Sequence, residues 1–295
     1  MQIQEIIKKY NGRIDSLDLE LILAHSLNKT REFILTYPEY SINSRQNSII
    51  SKNIRRRVEG EPIAYIVGHK EFYGLDFIVN KHTLVPRPET EQLVDTALNE
   101  LKVKSQKSKV FIVDIGTGSG NIIISTAYNI QHSVNSKNIQ CFATDISKNA
   151  LATAKKNAKI HGVDKKIRFF IGDLLSPFIE NCKLKIENST LVVVANLPYL
   201  SKEIYQSAAT DVKKYEPKSA LYSDKAGLAH YEKLLKQIKN ISKSYKLEAI
   251  SCFLEFSPEQ KRPLEKLIRN ILPRAKIFFT KDLAGKWRVC KIIQN

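Results

Sequence analysis

Apolar runs of strand length alternate with segments of helical period from about residue 86 onward. The runs are KVFIVDIG (109–116), CFATDIS (141–147), IRFFIGD (167–173), TLVVVAN (190–196) and AISCFLEF (249–256). Residues 149–161 and 228–245 between them carry helical spacing. Near-continuous apolar strands separated by helices predict a parallel sheet covered on both faces. The last run, KIFFTKDLAGKWRVCKII (276–293), breaks at a short Ala-Gly turn and predicts an antiparallel hairpin. The first 70 residues differ. SLDLELILAHSL places Leu17, Leu21, Ala24 and Leu27 at helical spacing, with Ser16 as the expected N-cap. TREFILTYPE predicts a short helix ending near Pro38, and SRQNSIISKNIRRRVEG another that stops at Gly60 and Pro62. YIVGHKEFYGLDFIVNKHTLVP (65–86) alternates around Gly74 and predicts a β-hairpin connector. The expected division is a helical domain over 1–70, a hairpin and linker over 71–88, and an α/β domain over 89–295.

Composition changes this picture little. The 295 residues suit one large and one small domain, and 43% are hydrophobic, enough for cores in both. No apolar run reaches bilayer length and the N-terminus lacks a signal-peptide pattern, so no membrane association and a cytoplasmic location are expected. Four scattered cysteines, without a CxxC or HExxH pattern, predict reduced thiols and no metal site. The formal charge of +17 suits an acidic partner such as RNA or an acidic protein, but the lysines are dispersed and an Ile/Lys/Asn-rich composition also follows from an AT-rich genome.

The candidate chemistry lies at the strand ends. VDIGTGSGN sets Gly116, Thr117, Gly118, Ser119 and Gly120 between a strand and a helix. A dinucleotide fingerprint requires glycine at 121, where this chain has Asn121, so a pyrophosphate is disfavoured. Asp145 ends the second strand 25 residues beyond Gly120 and can accept hydrogen bonds from both ribose hydroxyls. Asp173 ends the third and can accept from an adenine amine, with the Leu174 N–H donating to the ring. Each piece alone is a turn or a cap. As an ordered set at adjacent strand ends they predict a nucleoside cofactor.

The fourth strand runs into Asn196-Leu197-Pro198-Tyr199. Pro198 pushes Leu197 toward extended backbone, which can aim the Leu197 carbonyl at a ligand. The Asn196 side-chain oxygen is a second acceptor. Two acceptors can hold both hydrogens of one NH₂ group and leave its lone pair directed elsewhere, while the ring of Tyr199 offers a face for a flat group. A conjugated nitrogen is a poor nucleophile, so alignment is the expected contribution, worth up to about 7–11 kcal/mol.

These motifs resemble class I S-adenosylmethionine methyltransferases, with a Rossmann-like fold, and within them the HemK/PrmC family, which methylates a glutamine of peptide chain release factors. REFILTYPE, GEPIAYIVGHKEFYGLDFIVNKHTLVPRPETEQLVDTAL, DIGTGSGNI, EPKSALYSDKAGLAHYEKL and KDLAGKWRV carry the resemblance over nearly the whole chain. Arg87 and Glu89 to Glu91, in PRPETE, match family positions near the cofactor cleft; a capped helix start explains them too.

The resemblance implies S-adenosylmethionine over Gly116–Gly120, Asp145, Asp173 and Leu174. It also implies a release-factor glutamine, in a Gly-Gly-Gln loop, over Asn196, Leu197, Pro198 and Tyr199. The helical domain would recognise the protein substrate, and any ribosome or RNA proximity would be indirect. Leu197 departs from the family's Asn-Pro-Pro-Tyr; Asn-Leu-Pro-Tyr is more typical of methyltransferases acting on adenine in ribosomal RNA. An RNA adenine methyltransferase, a ribosomal-protein glutamine methyltransferase and a non-catalytic RNA- or ribosome-binding protein are therefore the alternatives.

Overall fold

A computed structural model describes residues 1–131, 136–182 and 186–294. Five helices come first: α1 (Ile3–Tyr10), α2 (Ser16–Leu27), α3 (Arg31–Thr36), α4 (Ser44–Val58) and α5 (Ile63–Val67). They share a core of their own, built around Ile3, Ile6, Ile22, Leu23, Ile34 and Ile54. The N-cap of α2 is Asp15 and not Ser16: its carboxylate accepts from the N–H groups of Leu17 at 2.9 Å and Asp18 at 3.2 Å. A carboxylate there satisfies two orphan donors and complements the helix dipole, which a serine hydroxyl one position later cannot do. The buried stripe of α2 also differs from the expected one. Leu19, Ile22, Leu23, Ala24 and Leu27 are buried, whereas Leu17 is 45% exposed. This helix is apolar on more than one face, and the packing of α3, α4 and α5 chose between them.

The connector is shorter than the alternating pattern implied. Tyr65 to Val67 belong to α5, which ends at Gly68 in the left-handed region, and the hairpin is β1 (His69–Phe72) and β2 (Leu75–Ile78). After it come α6 (Glu91–Lys104), β3 (Val110–Ile115), α7 (Asn121–Ile130), β4 (Ile139–Asp145), α8 (Lys148–Ile160), β5 (Ile167–Ile171), α9 (Ser176–Cys182) and β6 (Thr190–Ala195). Short helices α10 (Lys202–Ser207), α11 (Thr210–Tyr215) and α12 (Asp224–Gly227) precede α13 (Ala229–Ser244), β7 (Ala249–Glu255), α14 (Lys261–Ile271), β8 (Lys276–Lys281) and β9 (Trp287–Gln294).

The seven-stranded sheet has the order β5-β4-β3-β6-β7-β9-β8. Its first five strands are parallel; β9 lies antiparallel between β7 and β8. This is a mostly parallel class I methyltransferase arrangement with a C-terminal antiparallel hairpin, as expected. Alternate residues of the central strands serve opposite layers. Phe111, Val113 and Ile115 of β3 join Leu191, Val193 and Ala195 of β6 against α13 and α14. Val110 and Ile112 join Val192 and Val194 against α6 and α7. Each fully buried Leu, Ile, Val or Phe contributes about 1.5–3 kcal/mol by leaving water. All four cysteines are buried.

One buried asparagine ties the hairpin to the sheet domain. Asn157 of α8 is fully buried; its Oδ1 accepts from the Ile78 N–H at 2.8 Å, and its Nδ2 donates to the carbonyls of Ile78 at 3.0 Å and Ser119 at 2.8 Å. All three bonds are made by this one buried side chain, so it fixes both the hairpin and the glycine turn. Asn157→Ala strands an N–H and two carbonyls, and each orphaned buried group costs about 1–3 kcal/mol. The expected outcome in urea denaturation is a loss of at least about 2 kcal/mol. An unchanged midpoint would show that water replaces these bonds.

Candidate active site

A cavity of ≈ 280 Å³ opens at the carboxyl edge of the sheet, where four parallel strands end. Its floor is the turn after β3. Gly116, Gly118 and Gly120 all have positive φ, at 70°, 58° and 83°. At Gly120 the positive φ favours glycine, and a Cβ would also press on Ile124 Cδ1 at 2.6 Å and Ala154 Cβ at 3.1 Å. The N–H groups of Gly116 and Thr117 both donate to the Thr144 carbonyl, which closes the turn against β4. Thr117 donates its hydroxyl to Asp114 at 2.6 Å. Burial pushes the Asp114 carboxyl up to about 7, against the Thr117 and Ile123 hydrogen bonds that favour its charge.

Asp145 ends β4 and is 9% exposed. Its Oδ2 accepts from the Gly118 N–H at 2.9 Å and its Oδ1 from the Ser147 N–H at 2.7 Å. Burial raises its pKa while these two bonds lower it. Each oxygen retains acceptor capacity, so the carboxylate can brace the turn and still receive hydroxyl donors from a ligand. Asp173, after β5, lies in the cavity wall and is ion-paired with Lys233. Leu174 follows it in the left-handed region at φ 53°. Residues of Gly116–Ser119, Asp145, Asp173 and Leu174 therefore meet in one cavity. Gly120 lies just outside the wall, as the N-cap of α7.

β6 brings Asn196, Leu197 and Pro198 to the same cavity. Asn196 Nδ2 donates to the Thr90 hydroxyl at 3.1 Å, which turns the other end of the amide, its acceptor oxygen, away from Thr90. The Leu197 side chain is 3% exposed and packs in the sheet core beside Gly116. Tyr231 Oη lies 2.5 Å from the Glu255 carbonyl and 3.4 Å from that of Leu197. A hydroxyl has one proton, and the shorter contact takes it, so the Leu197 carbonyl keeps acceptor capacity.

The ring of Tyr199 is not in the cavity wall. It packs against the sheet core, and burial raises the pKa of its hydroxyl. The tyrosine thus anchors the turn from behind, where a stacking face toward the ligand was expected. Its carbonyl accepts from Gln260 Nε2 at 2.8 Å, and the same amide donates to the Ala226 carbonyl at 3.0 Å. Gln260 thereby joins the Asn196 turn to the Lys225–Ala226 bend, where both residues are left-handed.

Periodicity did not identify the roof of the cavity. Lys81 to Arg87 form one side, Pro217, Ser219 and Ala220 another. Arg87 and Glu216 pair at 2.5 Å, and Glu216 also accepts from the Val85 N–H at 3.3 Å, so the two roof segments are clasped by a nearly buried carboxylate. PRPETE and EPKSALYSD were visible as sequence blocks, but only their pairing shows the roof. Thr90 lay inside PRPETE and His230 inside EPKSALYSDKAGLAHYEKL without a role of their own, and Ser147 and Gln260 were not singled out.

Residues 2–68 match the family model described as the PrmC N-terminal domain, and residues 86–246 match that of N-6 DNA methylase. The chain is 34% identical to the release factor glutamine methyltransferase of Bacillus anthracis over 98% of each chain. It is 32% identical to the Bacillus subtilis protein of the same name, over 94% of this chain and 91% of that one. Among solved structures, the human Mettl16 catalytic domain in complex with a MAT2A 3′UTR hairpin aligns with a TM-score of 0.51 at 14% identity, covering 92% of this chain and 90% of that one. At that identity the likeness concerns the fold alone.

Gly227 tests how the turn is held. A Cβ there would lie 2.0 Å from the Tyr199 carbonyl oxygen and 2.3 Å from Gln260 Nε2. Gly227→Ala must therefore displace the Asn196–Tyr199 turn or its clamp. The expected result is a fall of about tenfold or more in turnover with ligand affinity at the glycine turn nearly intact. Unchanged turnover in the folded variant would show that the turn tolerates the displacement.

Proposed function

The chain belongs to the release factor glutamine methyltransferase family, and we propose that it methylates the side-chain amide nitrogen (N5) of a release-factor glutamine carried in a Gly-Gly-Gln loop. The observation that carries this reading is one cavity holding both a nucleoside-type floor and a pair of carbonyl acceptors, Asn196 Oδ1 and the Leu197 carbonyl. S-adenosylmethionine, when bound, supplies an activated methyl group on a sulfonium sulfur. The residues suit it: Gly116 to Gly120 underlie the ligand, Asp145 takes the ribose hydroxyls on its remaining acceptor capacity, and Asp173 with the Leu174 N–H takes the adenine edge. The Lys233 partner of Asp173 is itself exposed and can yield to an amine donor.

The two acceptors hold the hydrogens of the glutamine NH₂ and leave the nitrogen lone pair free to face the methyl group. The chain's contribution is alignment and exclusion of water by the clasped roof. The helical domain over 1–70 recognises the protein carrying the loop; its only described bonds to the α11 region, from Tyr215 and Lys214 to the Glu59 carbonyl, set it beside the roof. The cytoplasm, where release factors work, is the matching location. A second reading has specific support. The match to the N-6 DNA methylase model and the Asn-Leu-Pro-Tyr sequence both suit an adenine amine, which the same acceptors can hold.

Incubation with methyl-labelled donor and either purified release factor or ribosomal RNA separates the two. Label in the release factor alone is the expected result; label in RNA alone overturns the glutamine assignment and leaves the cofactor site standing. Asp145→Ala is expected to weaken donor binding in calorimetry by at least about tenfold, since hydrogen bonds to a charged group contribute about 1.5–3 kcal/mol each. Unchanged affinity would remove Asp145 from the site. Asn196→Ala is expected to lower kcat about 10²-fold, near 2.7 kcal/mol, with donor affinity retained.

A further inference from the structure

One face of α13 is turned to the loop that carries Asp173. His230, Lys233 and Gln237 follow one another at i, i+3 and i+7, a spacing that sets them on one side of the helix. Lys233 is ion-paired with Asp173. Gln237 accepts from the Leu175 N–H at 2.9 Å and donates to the Ser176 hydroxyl at 2.9 Å. Two of the three side chains thus hold the loop in place. The third, His230, stands nearest the start of the helix and joins Asp173 and Leu174 in the cavity wall. Nothing in the binding of the cofactor as described above makes use of it.

Ser223 fixes what the His230 ring presents. Its Oγ lies 2.8 Å from His230 Nδ1, and the residue is 1% exposed. The Ser223 N–H donates to the Leu200 carbonyl at 3.0 Å, which anchors the serine to the chain leaving the Asn196–Tyr199 turn. Burial of the imidazole lowers its pKa against the opposing charge of Asp173, so at neutral pH and above the ring is uncharged. An uncharged ring has one N–H, and the serine hydroxyl has one proton. Among the described residues Ser223 Oγ has no partner outside His230, whose backbone N–H also approaches it at 3.5 Å. With the ring proton on Nδ1, the buried hydroxyl proton would have no acceptor. Ser223 therefore donates to Nδ1, and the ring proton sits on Nε2. Nε2 has no partner among the described residues and is not one of the atoms sealed from solvent.

We propose that His230 is a cofactor-binding residue whose Nε2–H donates to N7 of the purine of S-adenosylmethionine. The inference rests on the reading of this cavity as the site of that cofactor. The adenine amine lies between two ring acceptors, N1 and N7. Asp173 and the Leu174 N–H suit the edge made of the amine and N1, which leaves N7 as the acceptor beside that amine. His230 shares its helix face with Lys233, the partner of Asp173, and brings an uncommitted N–H to the same wall. One face of α13 then reads the base at one end and holds the loop that binds it at the other. Ser223 acts through the ring, by keeping its proton on the nitrogen that meets the ligand.

Calorimetry with S-adenosylhomocysteine, the product that keeps the same nucleoside, tests the contact without any protein substrate. Its 7-deaza analogue, which has a C–H in place of N7, should bind wild type about tenfold more weakly, and its 3-deaza analogue within about twofold of the parent. This comparison needs no variant. His230→Phe keeps a flat ring and removes the N–H; it should bind the parent about tenfold more weakly and lose the preference for it over the 7-deaza analogue. In ¹⁵N spectra of the wild-type imidazoles, with His230 assigned from that variant, the free protein should show the Nε2–H tautomer. Its Nε2 signal should move when the parent is added and not when the 7-deaza analogue is. Equal affinity of wild type for parent and 7-deaza analogue overturns the contact while the cofactor reading stands. So does a loss that falls on the 3-deaza analogue instead, a preference that survives in His230→Phe, or an Nδ1–H tautomer. Failure of wild type to bind the parent at all defeats the cofactor reading, and the contact with it.

Discussion

The parallel pairing of β3 with β4 on one side and β6 on the other is the constraint from which the site follows. Ile115 sits opposite Thr144 and Ala195 in the two ladders. The next residues along each chain, Gly116, Asp145 and Asn196, therefore arrive together at one edge of the sheet. Parallel strands require crossovers, and each crossover here carries a helix that buries one face of the sheet. The apolar interior fixes the register, since a slip by one residue would exchange Val113 with Ile112 between two packed layers.

Beyond the strand ends the backbone is irregular, and a second set of interactions holds it. Asn157, Gln260 and Glu216 are buried polar side chains, each spanning two loop segments. Asn157 joins hairpin to glycine turn, Gln260 joins the Asn196 turn to a left-handed bend, and Glu216 joins the two roof segments. Such groups are costly to bury and are stable only when their bonds are complete, so each specifies one arrangement of its loops. Thr90 extends the same principle to a single side-chain amide, since its buried hydroxyl accepts from Asn196 Nδ2. Leu197 fits beside them. Its side chain is an ordinary member of the core, so the exchange of proline for leucine changes backbone freedom more than the surface a substrate meets.

The sequence by itself determined the elements whose signal is local. The five apolar runs became β3 to β7, the two longest helical segments between them became α8 and α13, and the final pair became a hairpin, because strand and helix periodicity arise within a few residues. It also carried the strand-end residues Gly116, Asp145, Asp173 and Asn196, whose convergence follows once the sheet is parallel. The tertiary structure decided what depends on distant partners. The insertion of β9 between β7 and β8 is a pairing choice with no local mark. Which apolar face of α2 is buried was settled by its neighbours, and the choice of Asp15 over Ser16 as its cap by hydrogen-bond geometry. Tyr199 turned toward the core because Gln260 and the sheet interior hold its segment from behind. The roof pairs residues more than 120 positions apart and the Thr90–Asn196 bond spans 106, and hydrogen bonds of that kind have no periodicity by which a sequence could announce them.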